Sequence, residues 1–556
     1  MLRMSGFIVL CLTLITLATS AQTIIPAGSV SGTWTPAGSP YLVEGEIAVE
    51  ENTSLAIDPG VVVDFQGYYK LVVNGWLVAE GTAEDSIHFT AANPSEGWHG
   101  IRFTNAPDSS RLIFCTIQYG CSADSDSVNW GGGIHCVNSN PVIRHCLISG
   151  NSAVIGGGIC CLNSNPTIEN CTIRENWATG VGSVGGGIYC WGSNPNIQQC
   201  VITGNFGGAI YTYESPAPNI DQCTITWNTG GVYFNDSDAS ISNCTIHGND
   251  SGDTGGGITC AWGADAIISN CLITENLSDV VGGGIGCWDS DPIIENCVIS
   301  GNVTGETGGG GIYFSTDSCP IVVNVIVEGN TGNGATYFHN SPIATITHCD
   351  FYNNGGSSFA GNSIPADLGE LSAINANGDS CDTFFNIFED PLFGSEPLSD
   401  YHLSPNSPCI DAGNPVSQYN DPEDPVNPGT ALWPAQGTIV SDMGIYGGPG
   451  AGDWFVGIKK KNPNSSGVPS IFNLQQNYPN PFNPYTTIRF GLPAAAQVNL
   501  TVYNILGQQI TVLVDGYQQA GYYEVIWNAS QLASGVYLYR IKAAEFIAVK
   551  RMVLVK

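Results

Sequence analysis

The chain has 556 residues, 43% of them apolar, and carries 48 acidic against 15 basic side chains for a formal net charge of −33. That length accommodates several structural units, and such a surface repels nucleic acid, anionic lipid and anionic polymers, which excludes them as bulk partners. The exclusion is sharpest from Glu175 to Ile458, a span without one Lys or Arg.

Residues 1–21 open with Arg3, continue through the apolar run Phe7 to Leu17 and close with Ala18-Thr19-Ser20-Ala21. These are the three parts of a secretory signal peptide, and the apolar run is too short to span a bilayer. No other stretch is long and apolar enough to do so, so the mature chain is expected outside the cytoplasm, secreted or surface-attached, with no membrane span.

Residues 22–130 alternate well, as in Leu71 to Val78 and Ile87 to Thr90, and are expected to cap and begin a stacked structure whose first sheet edge must be protected. From 131 to 354 the phrase Gly-Gly-Gly-Ile recurs, at Gly131, Gly156, Gly185, Gly255, Gly282 and Gly309, with weaker copies at Gly207 and Thr229. A period in the twenties marks a solenoid.

Within the copy at residues 156–176, Ile159 and Cys161 alternate with neighbours, Ile168 follows a Ser-Asn-Pro turn, and Cys171 and Ile173 alternate again. That is strand periodicity, and its parity changes between Ile168 and Cys171, which requires a bend. Each repeat therefore reads as three short strands, which bury Ile and Cys by stacking in register on the next coil. The fold class predicted is all-β, a right-handed parallel β-helix.

Aligned repeats give an inward column Cys136, Cys161, Cys190, Cys260 and Cys287, with Thr212, Phe234 and Phe314 in the same slot. A second column runs Cys146, Cys171, Cys200, Cys223, Cys244, Cys271, Cys297, Val325 and Cys349. Five residues after each member of the second column stands Asn, from Asn151 to Asn354. Asn tolerates left-handed backbone angles and bonds well to its own copy in the next coil, so a stacked Asn turn is expected.

With the Gly-Gly-Ile and Ile-x-x-Asn phrases in hand, the chain resembles right-handed parallel β-helix repeat proteins, the polymorphic outer-membrane and pectate-lyase-like kind. The resemblance implies the fold and leaves activity open, because the fold hosts lyases, hydrolases and adhesins. The cysteines, set one strand spacing apart with parallel Cβ vectors, are expected as buried free thiols. Should any bridge form, Cys381–Cys409 is the better placed pair. A zinc site is disfavoured by the lack of paired C-x-x-C motifs.

Residues 355–456 fray into longer loops rich in Pro, Asp and Asn, and DPLF, SPCIDAG and SDMGIYGG resemble closing phrases of β-helix proteins. Residues 457–470, GIKKKNPNSSGVPS, read as a linker. Beyond it, strand periodicity returns at Thr487 to Phe490, Val498 to Val502, Tyr523 to Trp527 and Val536 to Ile541, the pattern of a small Ig-like β-sandwich. The string NYPNPFNP, followed by TTIRFGLP, VYNILGQ, GYYEVIWNAS, LASGVYLYRI and KRMVLVK, resembles the type A C-terminal sorting domain of the type IX secretion system. That resemblance implies that residues 471–556 engage the type IX export machinery.

Outward positions of the first strand carry Tyr189, Trp191, Tyr211, Tyr213, Tyr233, Trp288 and Tyr313. Aromatics spaced along a flat sheet suit a polysaccharide or cell-surface glycan, with neighbouring Asp and Asn to bond hydroxyls. The bland alternative is that they stack on one another or lie under variable loops. A polyuronate lyase needs a basic residue and cations over the groove, and the array supplies only Arg144 and Arg174. A glycoside hydrolase needs paired carboxylates, for which Asp236, Asp238, Asp265, Asp289 and Asp291 are candidates, though they read equally as turn residues replacing Asn. No cofactor is required. Asp421, Glu423 and Asp424, with Asp442 downstream, form an oxygen-rich loop of the kind that suits Ca2+, or else a solvated acidic turn. Three readings stay open: a non-catalytic, adhesin-like binder, a hydrolase, and a structural stalk.

Overall fold

The computed structural model describes residues 22–122, 130–180, 184–252, 254–305, 308–315, 317–340, 343–394, 401–425, 427–451, 458–460, 469, 471–477, 480, 485–518, 520–529, 532–544 and 546–555. The signal-peptide reading of residues 1–21 and most of the linker reading fall outside them. Three long parallel sheets run the length of the solenoid, two of 14 strands and one of 13. Each coil contributes one strand to each sheet, as in Ile159–Leu162, Thr167–Glu169 and Thr172–Arg174.

Register follows the sequence columns. Cys136 pairs with Cys161, Cys161 with Cys190, Cys190 with Thr212, Thr212 with Phe234 and Phe234 with Cys260. Ile143, Ile168, Ile197, Ile220 and Ile241 form the same kind of row in the second sheet, and all are fully buried. Like side chains therefore lie over like, and a single core extends from Trp34 to Leu368.

Of the left-handed residues in each coil, two turn the chain beside the cysteine and Asn columns. One stands immediately before each member of the second cysteine column, as at His145, Asn170, Gln199, Gln222 and Asn243, with φ between 52° and 54°. This is the bend that the parity change at Ile168 to Cys171 demanded. The other stands immediately before each ladder Asn, at Gly150, Glu175, Gly204, Trp227 and Gly248. The left-handed angle expected at the Asn itself thus falls one residue earlier, because Asn spends its amide on the ladder. Asn151 Nδ2 donates to Asn176 Oδ1 at 2.9 Å and to the Ile117 carbonyl at 3.1 Å, and the pattern repeats through Asn330.

Every cysteine among the described residues is a free thiol, and all but Cys121 and Cys319 are buried. In the second column each thiol is aimed at a carbonyl two residues back, as from Cys146 to Arg144 at 3.2 Å and from Cys200 to Gln198 at 3.2 Å. Sulfurs held this way also neighbour one another down the column, as Cys146 does Cys171, yet remain unbridged. Cys381 and Cys409, the better placed pair had any bridge formed, are likewise free and buried, and Cys409 Sγ lies 3.4 Å from Asp350 Oδ2.

The closing segment does not simply extend the stack. Its Cys381, Leu403, Cys409, Met443 and Ile445 form a second apolar cluster with Val298 and Ile326, which are outward residues of the third sheet. The corner asparagines hold it there. Asn270 Nδ2 donates to the carbonyls of Ile445 and Gly447, while Asn296 and Asn324 donate to Ser441 Oγ at 3.2 and 3.1 Å.

The C-terminal domain has two four-stranded antiparallel sheets around a core of Phe490, Leu500, Val525, Tyr539 and Met552. Ile458–Lys460, inside the segment read as linker, pairs as an edge strand with Gly521–Asn528. Part of the NYPNPFNP string guards the opposite sheet's edge strand Phe546–Leu554: Asn480 Oδ1 accepts the Val553 N–H at 2.9 Å, and Gln476 just before the string donates to the Arg551 carbonyl at 2.7 Å. Among the described residues no helix is long and apolar enough to cross a membrane.

Candidate functional site

The outer face of the first sheet is ordered as strictly as its inner face. Arg102, His135, Cys160, Tyr189, Tyr211, Tyr233 and Thr259 occupy one row in register. The glycine triplets explain what covers this row. Gly185 has φ 65°, and a Cβ there would lie 2.8 Å from Tyr189 Cβ, so the turn before each strand curls onto the residue that points outward from it. Tyr189 is consequently only 5% exposed and Tyr313 only 7%, which corrects the expectation that both lie open on the exterior. Tyr211 and Tyr233 follow the two weaker glycine phrases and stay half-buried.

These tyrosines face each other along the solenoid axis. Tyr189 and Tyr211 stack at 5.7 Å and 16°, and Tyr211 and Tyr233 at 4.9 Å and 17°. Their ring faces are used internally, a contribution of ~1 kcal/mol per pair, and mainly ring edges are left for a ligand. The bland alternative thus describes Tyr189 best.

The next outward row differs. Trp191 is 38% exposed and its ring is tilted 50° to that of Tyr213 at 6.0 Å, so the two do not close on one another. Trp191 Nε1 donates to Glu214 Oε2 at 3.0 Å. That bond, and one with Tyr213, hold the exposed Glu214 carboxyl below its ordinary range. Trp288 instead folds over Gly286, where a Cβ would meet its ring at 2.5 Å, and leans on Tyr313 at 5.2 Å.

Beside this row lies a left-handed turn position filled by Glu214, Asp236, Trp262 and Asp289, with φ from 47° to 59°. Trp262, 63% exposed, was not singled out from sequence. The signal for it was a Trp in a slot that holds Asn in Asn138 and Asn163. A second strip was missed for the same reason: Trp177 and Phe206, each just after a ladder Asn, stack at 5.1 Å on the surface.

The candidate hydrolytic acids are committed to turns. Asp238 Oδ1 accepts the Asp265 backbone N–H at 3.2 Å, Asp265 Oδ1 that of Asp291 at 2.9 Å, and Asp291 Oδ1 that of Cys319 at 2.5 Å. Asn140 and Asn165 do the same for the coils before them. The acids replace Asn in a ladder.

The three candidate calcium ligands do not point at one place. Asp421 is buried and accepts the N–H groups of Gly448 and Asp442. Glu423 accepts from Gly429, and Asp424 from Asn427 Nδ2. Burial, and next the nearby Asp442 charge, raise Asp421 to about 9, while burial raises Asp442 to about 7. No group of three or more His, Cys, Asp or Glu placed to hold a metal ion occurs among the described residues.

Comparison with known families gives three partial matches. Residues 186–354 match the model of the right handed beta helix region, residues 476–556 that of the secretion system C-terminal sorting domain, and residues 101–243 that of the periplasmic copper-binding protein (NosD). No curated protein and no solved structure matches the chain. The stacked coils carry the first match and the guarded antiparallel domain the second. The chain is a right-handed parallel β-helix repeat protein with a type IX C-terminal sorting domain, a bacterial protein secreted or attached to the cell surface.

Proposed function

We propose that the exported β-helix binds a neutral glycan without chemistry, in an adhesin-like role, at the rim formed by Trp191, Tyr213 and Glu214 and continued by Trp262. The observation that carries the reading is the tilt between Trp191 and Tyr213, which leaves aromatic surface free beside an exposed carboxylate hydrogen-bonded at 3.0 Å. Sugar rings pair an apolar face with hydroxyls, and an aromatic plane with an acceptor at its edge is complementary to both. Strong negative charge favours neutral over anionic sugars.

A hydrolase fits the acids less well. Glu214 is held below the ordinary carboxyl range, whereas a general acid needs the opposite shift, and Asp238, Asp265 and Asp291 each hold a backbone N–H. Binding of the full chain to immobilised neutral polysaccharides tests the proposal. Trp191→Ala is expected to weaken binding about tenfold, or ~1.4 kcal/mol, and Tyr189→Phe to leave it unchanged. Equal binding by wild type and Trp191→Ala, release of reducing ends, or no binding by wild type would overturn it.

A further inference from the structure

Between residues 22 and 458 the chain has five basic side chains, Lys70, Arg102, Arg111, Arg144 and Arg174. Four are paired: Lys70 with Glu46, Arg111 with Glu80, Arg144 with Glu169 and Arg174 with Glu175. Arg102 pairs with no carboxylate among the described residues, yet it is the buried one, 5% exposed. Its Nη1 donates to the carbonyls of Trp130 and Gly131. Its Nε and Nη2 have no partner and no contact with solvent.

Those two nitrogens form the side-on edge of the guanidinium, the edge whose parallel N–H bonds match a carboxylate. Two more orphaned polar atoms belong to the same neighbourhood. His135 Nε2 is on the residue paired in register with Arg102, and Trp130 Nε1 is on the residue whose carbonyl holds it. Three of the four atoms are obligatory donors, and the His nitrogen takes either role. A buried donor without an acceptor costs ~1–3 kcal/mol, so three donors facing at most one acceptor nitrogen describe the missing partner as an acceptor. Other unpartnered atoms of the solenoid, such as Asp64 Oδ1, Arg174 Nε, Thr212 Oγ1, Asn243 Oδ1 and Thr336 Oγ1, are spread along the chain, whereas Arg102, His135 and Trp130 bring four together.

Charge points the same way. Burial lowers Arg102 to about 10, so it stays cationic at neutral pH. Burial, and next the Arg102 charge, lower His135 to about 3, and burial, then Arg102 and Lys70, lower His99 to about 4, so neither ring adds or cancels charge. One uncompensated buried cation calls for one anion.

We propose that the outer face of the first sheet at Arg102, His135 and Trp130 is a binding site for a single carboxylate group, held side-on by Arg102 Nε and Nη2. The site adjoins the rim at Trp191, whose ring lies 6.1 Å from that of Trp130 at 35°, but its argument does not rest on the glycan reading. A compact monovalent anion escapes the repulsion that bars polyanions, because it meets the only unpaired cation of the solenoid's described residues. The donors are closed off from water here, so entry requires the turn at Trp130 to shift.

The test is thermal stabilisation of the full chain at constant ionic strength by acetate, by glucuronate, and by chloride and glucose as controls. The proposal expects saturable stabilisation by acetate or glucuronate and none by the controls. Response to both carboxylates marks a general carboxylate site, and response to glucuronate alone marks an acidic sugar; each supports it. Arg102→Lys keeps the charge and loses the side-on edge, and is expected to weaken the apparent affinity at least about tenfold. Should that variant not fold, the His135 ring titration in wild type serves instead, since a bound carboxylate raises it from its lowered value. The proposal is overturned if neither carboxylate stabilises the chain, if chloride matches acetate, or if Arg102→Lys binds as wild type does.

Discussion

Asn176 and Asn205, one coil apart, share one oxygen: Asn205 Oδ1 accepts the Asn176 backbone N–H at 3.1 Å and its side-chain N–H at 3.0 Å. Asn205 Nδ2 in turn donates to Asn228 Oδ1 at 2.9 Å and to the Ile173 carbonyl at 3.0 Å. Asn205→Ala removes all of these and leaves buried groups unpaired, at ~1–3 kcal/mol each. A local loss on the order of 3 kcal/mol is expected, seen as faster amide exchange in the coils on either side, because solenoid stability is a sum of neighbour terms. Asn205→Asp keeps the acceptor but turns a buried carboxylate toward the Asn228 Oδ1 and Ile173 carbonyl acceptors, so its effect should be at least as large. Unchanged exchange in Asn205→Ala would show that the ladder is decorative.

Two glycines separate backbone strain from steric cover. Gly378 has φ 94° and nothing within 4 Å of where a Cβ would stand, whereas at Gly185, φ 65°, a Cβ would approach the Ile188 carbonyl oxygen to 2.6 Å and Tyr189 Cβ to 2.8 Å. Gly378→Ala is expected to cost ~1 kcal/mol, the left-handed penalty alone. Gly185→Ala should cost more and should expose Tyr189, read as a rise in solvent quenching of tyrosine fluorescence.

Opposite ends of the solenoid should respond oppositely to pH. Asp421 and Asp442 are raised in the folded chain to about 9 and 7 from an ordinary 3.8. The folded form then holds protons that the unfolded form releases, so their contribution is full below about pH 4 and is lost as pH rises toward 9. His99 and His135 are lowered to about 4 and 3 from 6.5. The unfolded form takes up their protons first, so that contribution is full above about 6.5 and is lost on acidification. Amide exchange should show residues 409–450 loosening at alkaline pH and residues 99–136 loosening at acid pH. Asp421→Asn should flatten the alkaline limb, and an unaltered limb would remove Asp421 as its cause.

Thiol chemistry should be confined to two positions. Cys319 is exposed and Cys121 half-buried, while the rest of the described thiols are buried; burial raises Cys349, for instance, to about 12. A thiol reagent should label Cys319 first in the native chain and the columns only on unfolding, and reductant should leave the melting temperature unchanged. A drop in that temperature with reductant would reveal bridges.

The stacked architecture was legible because its determinants are periodic: Ile168 and Cys171 announced a bend, and Asn170 supplies it with φ 53°. What was not legible depends on elements far apart in sequence or on a turn's exact path. Tyr189 occupies an outward slot, yet the preceding glycine covers it. The closing segment's seat on the third sheet did leave a trace. The outward slot that alternates through Leu147, Thr172, Val201, Thr224 and Thr245 becomes apolar in consecutive coils at Leu272, Val298 and Ile326, where the segment packs. Asp421 and Glu423 are two residues apart and point to different partners, which spacing alone does not reveal.

Gln199 and Gln222 are both left-handed and each precedes a column cysteine, Cys200 and Cys223. Excising residues 200–222 therefore splices Gln199 to Cys223 and recreates the same Gln-Cys junction with its backbone angles intact. The molecule behaves as a ruler graduated in units of one strand spacing, roughly 4.8 Å. Its reach can be lengthened or trimmed by whole graduations while both ends stay as they are.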